Sequence, residues 1–170
     1  FEDIVNAIPL LKPIPGRFQF LHNDCGFKVV IDYAHTPKAL EQAILSLRPY
    51  FQGSLTTVFG CGGNRDKSKR SEMGRVACEA SDEVIITSDN PRDESPERIL
   101  DDIQLGCFKK INRISDRGEA IFFAINQAKF GDCVLIAGKG HEEVQIFDDA
   151  EVRFSDFECA RDALDLRSSQ

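Results

Sequence analysis

With 170 residues, 42% of them hydrophobic and 29% charged, the chain has material for one cored domain and is too apolar to be a disordered one. A net charge of −7, from 21 Lys and Arg against 28 Asp and Glu, gives no general attraction to nucleic acid or to an anionic membrane, although a local basic pocket for a small anion is compatible with it. No apolar run approaches the roughly 18–20 residues of a membrane-spanning helix. The six cysteines (Cys25, Cys61, Cys78, Cys107, Cys133, Cys159) form no C-x-x-C pair, and the three histidines (His22, His35, His141) show no metal-ligand spacing. Free thiols in a reducing cytoplasm, with no metal site, are the expectation.

The N-terminal Phe1-Glu2-Asp3 has neither an initiator Met nor a signal-peptide pattern, and reads as a cut inside a longer protein. Residues 1–15, an amphipathic stretch running into Pro13-Ile14-Pro15-Gly16, are expected to be the remnant helix and linker of a preceding domain, with the domain proper over 16–170. From Phe27 onward, short β-branched runs alternate with helical periodicity. Strands are predicted over 28–31, 55–59, 83–87 and 133–137, continuous and apolar as befits strands covered on both faces, with a weaker one around 111–114. Thr36-Pro37 starts a helix with its stripe at Leu40, Ile44 and Leu47. After Ser71 the stripe is Met73, Val76, Ala77 and Ala80. Ser95-Pro96 starts the helix of Ile99, Leu100 and Ile103, and Asp116 with Glu119 starts that of Ala120, Ile121, Ala124 and Ile125. Residues 144–147 and 152–154 read as a hairpin, and Ser155 with Glu158 forms a capping box for the last helix, with Phe154 and Cys159 as its staple. Strand–helix alternation at this spacing predicts an α/β fold: an open, Rossmann-like, mostly parallel sheet with helices on both faces and an antiparallel edge hairpin.

Ligands of such sheets bind beyond the carboxyl ends of the strands. The unusual residues collect there, at 32–37, 60–70, 88–94 and 138–143. The turn from Gly60 to Lys67 lacks the G-x-G-x-x-G order of a dinucleotide site, and residue by residue it reads more simply as a tight turn with a solvated basic run of Arg65, Lys67, Lys69 and Arg70. Gly138-Lys139-Gly140-His141-Glu142 is not a phosphate loop, because six residues separate Gly131 from Gly138 and Lys139 precedes Gly rather than Ser or Thr. Its glycines suit close approach of backbone to a ligand, with Glu142 facing a cation. Asp89-Asn90-Pro91-Arg92 sets an acid, an amide and a guanidinium in one proline-stiffened loop. It suits a zwitterion clamp, Arg gripping a carboxylate and Asp accepting from an ammonium, and equally a plain Asp-Asn surface turn.

Four strings in order, Asp-Tyr-Ala-His-Thr-Pro at 32–37, Phe-Gly-Cys-Gly-Gly-x-Arg-Asp-Lys at 59–67, Asp-Asn-Pro-Arg at 89–92 and Ala-Gly-Lys-Gly-His-Glu at 137–142, resemble the C-terminal domain of the Mur ligases, and the MurE type in particular. Each string is weak alone; together they are specific, over roughly residues 14 to 165. The resemblance implies an ATP-driven amide synthesis in peptidoglycan precursor assembly. ATP phosphorylates the terminal carboxylate of a UDP-N-acetylmuramoyl dipeptide, and the amine of an incoming amino acid displaces the phosphate. Diaminopimelate-adding members carry Asp-Asn-Pro-Arg, which implies meso-diaminopimelate as the amine. By the same resemblance Arg65, Asp89, Asn90, Arg92, Gly138 and Glu142 would bind that amino acid, while Arg17, Asp32 and His35 would face ATP. Asn64 and Ser68 stand where many members have Asp and Gly. Residues 1–15 would then be the end of a central ATPase domain that holds ATP and most of the Mg contacts. Without that domain and the UDP-sugar domain the fragment is expected to be inactive, and no residue is assigned as catalytic. The alternatives are another ligase of the superfamily, of the MurF or folylpolyglutamate synthetase type, or a non-catalytic amino-acid-binding module.

Overall fold

The computed structural model describes residues 14–169, so the expected N-terminal helix and linker lie, up to residue 13, outside the described residues. The chain forms β1 (Gln19–Leu21), β2 (Lys28–Asp32), α1 (Pro37–Leu47), β3 (Leu55–Phe59), α2 (Ser68–Ala80), β4 (Glu83–Ile86), α3 (Pro96–Gln104), β5 (Asn112–Arg113), α4 (Arg117–Gln127), β6 (Cys133–Ala137), β7 (Val144–Phe147), β8 (Ala150–Arg153) and α5 (Asp156–Ser168). Six strands make one sheet in the order β1-β2-β6-β3-β4-β5, parallel except for β1, which pairs antiparallel with β2. β7 and β8 pair antiparallel in a two-stranded sheet of their own. The main sheet thus owes its antiparallel edge to β1, a three-residue strand the sequence pattern did not reveal. No helix among the described residues is long and apolar enough to cross a membrane.

Alternation along the central strands divides the core. Val30, Leu135 and Val84 face α1, α2 and α3; Ile31, Ile136, Val58 and Ile85 face α4 and α5. Burying each such side chain contributes about 1.5–3 kcal/mol, which holds the two helical layers to the sheet. The register places Asp32 beside Ala137, Ala137 beside Phe59, and Phe59 beside Ile86. Four strands therefore end flush, and the loops after them leave at one height.

Helix starts follow the expected chemistry in part. Thr36 accepts from the amide of Ala39, Asp116 from that of Glu119, and Ser155 from that of Glu158. Ser95 makes no side-chain cap, and Pro96 starts α3 without one. α2 begins before Ser71, at Ser68, whose amide donates to the Asp66 carboxylate at 2.9 Å. Glu158 does not close the box on Ser155; its carboxylate accepts from Arg153 of β8 at 2.9 Å.

Candidate functional site

The chain after β2 and β3 goes on to helices of one face, whereas after β6, which lies between them, it goes on to the hairpin and α5 of the other. Loops diverging above neighbouring strands leave a crevice. Here it is a cleft of about 400 Å³. All six residues expected at the amino-acid site, Arg65, Asp89, Asn90, Arg92, Gly138 and Glu142, line it, and so does His35. Its wall mixes three cations (Arg65, Lys69, Arg92) with three acids (Asp66, Asp89, Glu142), a surface suited to a ligand that carries both signs.

Arg17 and Asp32 stand apart from this cleft, behind Tyr33. The Arg17 guanidinium stacks 4.4 Å from the centre of the Tyr33 ring, and its side chain is exposed. Asp32 accepts from the amides of Phe18 at 2.8 Å and Ala34 at 2.9 Å, which ties the 14–18 turn to the end of β2. His35 packs edge-on against Tyr33 at 4.6 Å and bonds through Nδ1 to the Tyr33 carbonyl at 2.8 Å, so its ring steadies the loop after β2.

Asn90 is 4% exposed, and both polar atoms of its amide are bonded. Its Oδ1 accepts from Lys139 Nζ at 2.9 Å and from the Ile146 amide at 3.2 Å, while Nδ2 donates to Glu142 Oε2 at 2.9 Å. Lys139, buried completely, also donates to Glu142 Oε2 at 3.0 Å. Partial burial opposes ionisation of Glu142, but bonds from the Lys139 ammonium and the Asn90 amide outweigh it and hold the carboxyl below its ordinary range. Gly138, at φ +115°, takes a conformation L side chains rarely adopt, and a β-carbon there would sit 3.0 Å from Asp89 Oδ2.

Arg92 has φ +52°, in the left-handed region where a side chain costs about 1–2 kcal/mol. The hairpin holds it there: the Arg92 amide donates to Ile146 O and the Asp148 amide donates to Arg92 O, both at 2.9 Å. Nη1 donates to Gly63 O at 2.9 Å and to Asn90 O at 3.3 Å, so the guanidinium is anchored at one nitrogen beside the cleft. Gly63 must be glycine, since a β-carbon would lie 1.7 Å from Pro91 O. The expected edge hairpin is therefore the support of the Asp89–Arg92 loop.

One sequence expectation is corrected. Arg70 is not part of a solvated basic run. It is 1% exposed and bridges Glu94, Asp102 and Gly62 O, and so locks the glycine-rich turn to the segment after Arg92. Sequence reasoning also passed over Lys139, Tyr33 and Gln145, whose side-chain amide donates to Asp89 O at 2.9 Å. For Lys139 a signal was present: a Lys three residues before Glu142 between two glycines. Among the described residues no three His, Cys, Asp or Glu side chains converge to hold a metal.

Residues 16–140 match the family model described as Mur ligase, glutamate ligase domain. The UDP-N-acetylmuramoyl-L-alanyl-D-glutamate–2,6-diaminopimelate ligase of Gloeobacter violaceus is 48% identical over 172 residues, 99% of this chain and 35% of that protein. The ligase of the same name from Coxiella burnetii is 46% identical over 167 residues, 96% of this chain and 34% of that protein. A solved structure of a ligase of that name superposes with a TM-score of 0.86 at 42% identity, covering 97% of this chain and 34% of that one. The chain spans about a third of the length of the curated relatives it matches.

Proposed function

The chain belongs to the Mur ligase family, through its glutamate ligase domain, and from that membership we propose that it is the amino-acid-receiving domain of an ATP-dependent ligase that adds meso-diaminopimelate to UDP-N-acetylmuramoyl-L-Ala-D-Glu in the cytoplasm. The observation that carries the reading is the convergence of Arg65, Asp89, Asn90, Arg92, Gly138 and Glu142, from three separate loops, on one cleft of mixed charge. ATP supplies activation of the acceptor carboxylate. The work of this chain is to present the amine.

Diaminopimelate carries an amino acid group at each end. Glu142 and Asp89 offer acceptors for ammonium, and the Asn90 amide and the Arg92 and Arg65 guanidiniums offer donors for carboxylate. Lysine has no second carboxylate, so an arginine beside the cleft favours the larger amine. Arg17, exposed on the Tyr33 ring, and Asp32 and His35, in the loop after β2, are the groups proposed to face the nucleotide. Magnesium would be held mainly by the phosphates and the central domain, and no step here runs through it.

The test is Arg92→Ala in the full-length enzyme. Losing a charge-assisted pair costs about 1.5–3 kcal/mol, so KM for diaminopimelate should rise roughly 10- to 100-fold while KM for ATP stays within about twofold. Calorimetry should likewise rank meso-diaminopimelate above L-lysine. An equal rise in both Michaelis constants would sink the assignment.

A further inference from the structure

Lys139 is the one side chain in the 138–142 turn that is completely buried, and it does not line the cleft. An ammonium taken out of water is costly unless acceptors surround it. Its two acceptors here belong to two residues that do line the cleft, Asn90 Oδ1 at 2.9 Å and Glu142 Oε2 at 3.0 Å. From this arrangement, and resting on the reading of the cleft as the amino-acid site, we propose that Lys139 is a positioning residue that fixes which way the Asn90 amide and the Glu142 carboxylate face, and so makes the cleft selective for a zwitterion.

Lys139 Nζ and the Ile146 amide can only donate, and both point at the same atom of Asn90. An amide turned by half a revolution would put its NH2 group against two donors and lose both bonds. Asn90 therefore has one orientation, with Oδ1 inward and Nδ2 toward Glu142 and the cleft. Nδ2 gives one hydrogen to Glu142 Oε2 and has a second for a ligand carboxylate. On Glu142, Oε2 already accepts from Lys139 and Asn90, while among the described residues Oε1 has only the Tyr33 hydroxyl, at 3.5 Å. Oε1 is thus the oxygen offered to an ammonium. A donor and an anionic acceptor stand side by side, matching the carboxylate and the ammonium that share one carbon of an amino acid.

The experiment is Lys139→Met in the full-length enzyme, which keeps the buried length and removes the charge. KM for meso-diaminopimelate should rise at least about tenfold, with KM for ATP and for the UDP-linked dipeptide within about twofold. In an Asn90→Ala background the same change should add less than about threefold, because part of its route is gone. An unchanged KM for diaminopimelate, or equal effects in the two backgrounds, would overturn the proposal. Should thermal unfolding show that Lys139→Met alone does not fold, the change is read on Glu142→Gln, where no carboxylate is left unpaired. The double variant should then stay within about threefold of Glu142→Gln, and a further tenfold loss would count against Lys139. Arg92→Ala, run alongside, separates the two readings. If it fails to distinguish diaminopimelate from ATP, the cleft assignment is wrong; if it succeeds while Lys139→Met changes nothing, only the role of Lys139 falls.

Discussion

Arg117 touches no part of the cleft, yet it holds two of the strand ends that frame it. Its Nε and Nη2 grip Asp156 at 2.7 and 2.8 Å, with both side chains fully buried. Nη1 reaches Ser88 O at 3.3 Å and Nη2 reaches Ala137 O at 3.0 Å, the carbonyls just before Asp89 and Gly138. Breaking a buried ion pair from one side leaves a charge with nothing to meet it, at about 3–5 kcal/mol. Arg117→Met should lower the urea-unfolding free energy by roughly that amount, and Arg117→Met with Asp156→Leu should recover most of the loss, since an apolar pair needs no compensation. A single-variant loss under about 1 kcal/mol would mean the pair clamps nothing. The same pair marks what a sequence conceals at this scale. Arg92, Asn90 and Glu142 were legible as residues of the cleft, because they follow strand ends in motifs of fixed local spacing. Arg70, Arg117 and Asp156 were not, because charged residues read as solvated by default and their partners lie far along the chain: 24 residues from Arg70 to Glu94 and 39 from Arg117 to Asp156.

Between elements, Glu94 fastens the glycine-rich turn to the approach of α3. It accepts from Arg70 Nη2 at 2.9 Å, from Lys67 at 2.8 Å and from the Asn64 amide at 2.7 Å. These donors, the Arg70 guanidinium first among them, lower its carboxyl from an ordinary 4.5 to about 2. A carboxylate depressed by folding contributes stability that is fully present above its unfolded value and is lost as pH falls through the folded one. Glu94→Gln should therefore melt below the parent at pH 6, by a margin that shrinks from pH 4.5 downward and vanishes near pH 2. A margin independent of pH, followed by thermal unfolding, would refute the linkage. This fastening also explains the misplaced start of α2. The pattern offered Ser71 as a start signal, but the turn anchored by Glu94 and the Asp66 bond to Ser68 start the helix earlier. The four long parallel strands were legible from continuous apolar runs and the two-residue β5 as the weaker run around 111–114, while β1, of three residues, is too short for any period to register.

At the scale of the molecule, chain order does not reveal sheet order. That β6, last of the parallel strands in sequence, enters between β2 and β3 is a long-range outcome, and it is what brings the 138–142 turn beside the loops of 32–37 and 60–67. The cysteines allow this placement to be tested. Cys133 opens β6 with 0% exposure, and Cys61 follows the end of β3 with 2%. Burial pushes both thiols up to about 12, so at pH 8 only about one in ten thousand of either is a thiolate. Alkylation of Cys133 in native buffer then requires the chain to open first, and at the centre of the sheet that opening is global unfolding, whereas Cys61, beside the cleft, needs only a local one. Cys25, half-buried in the connection between β1 and β2, has no such requirement. Iodoacetamide at pH 8 across a urea titration, followed peptide by peptide by mass spectrometry, should modify Cys25 without denaturant and Cys133 only at the unfolding midpoint. Modification of Cys133 as fast as Cys25 without denaturant would place β6 at an edge, and with it the loop that carries Glu142 away from Asn90.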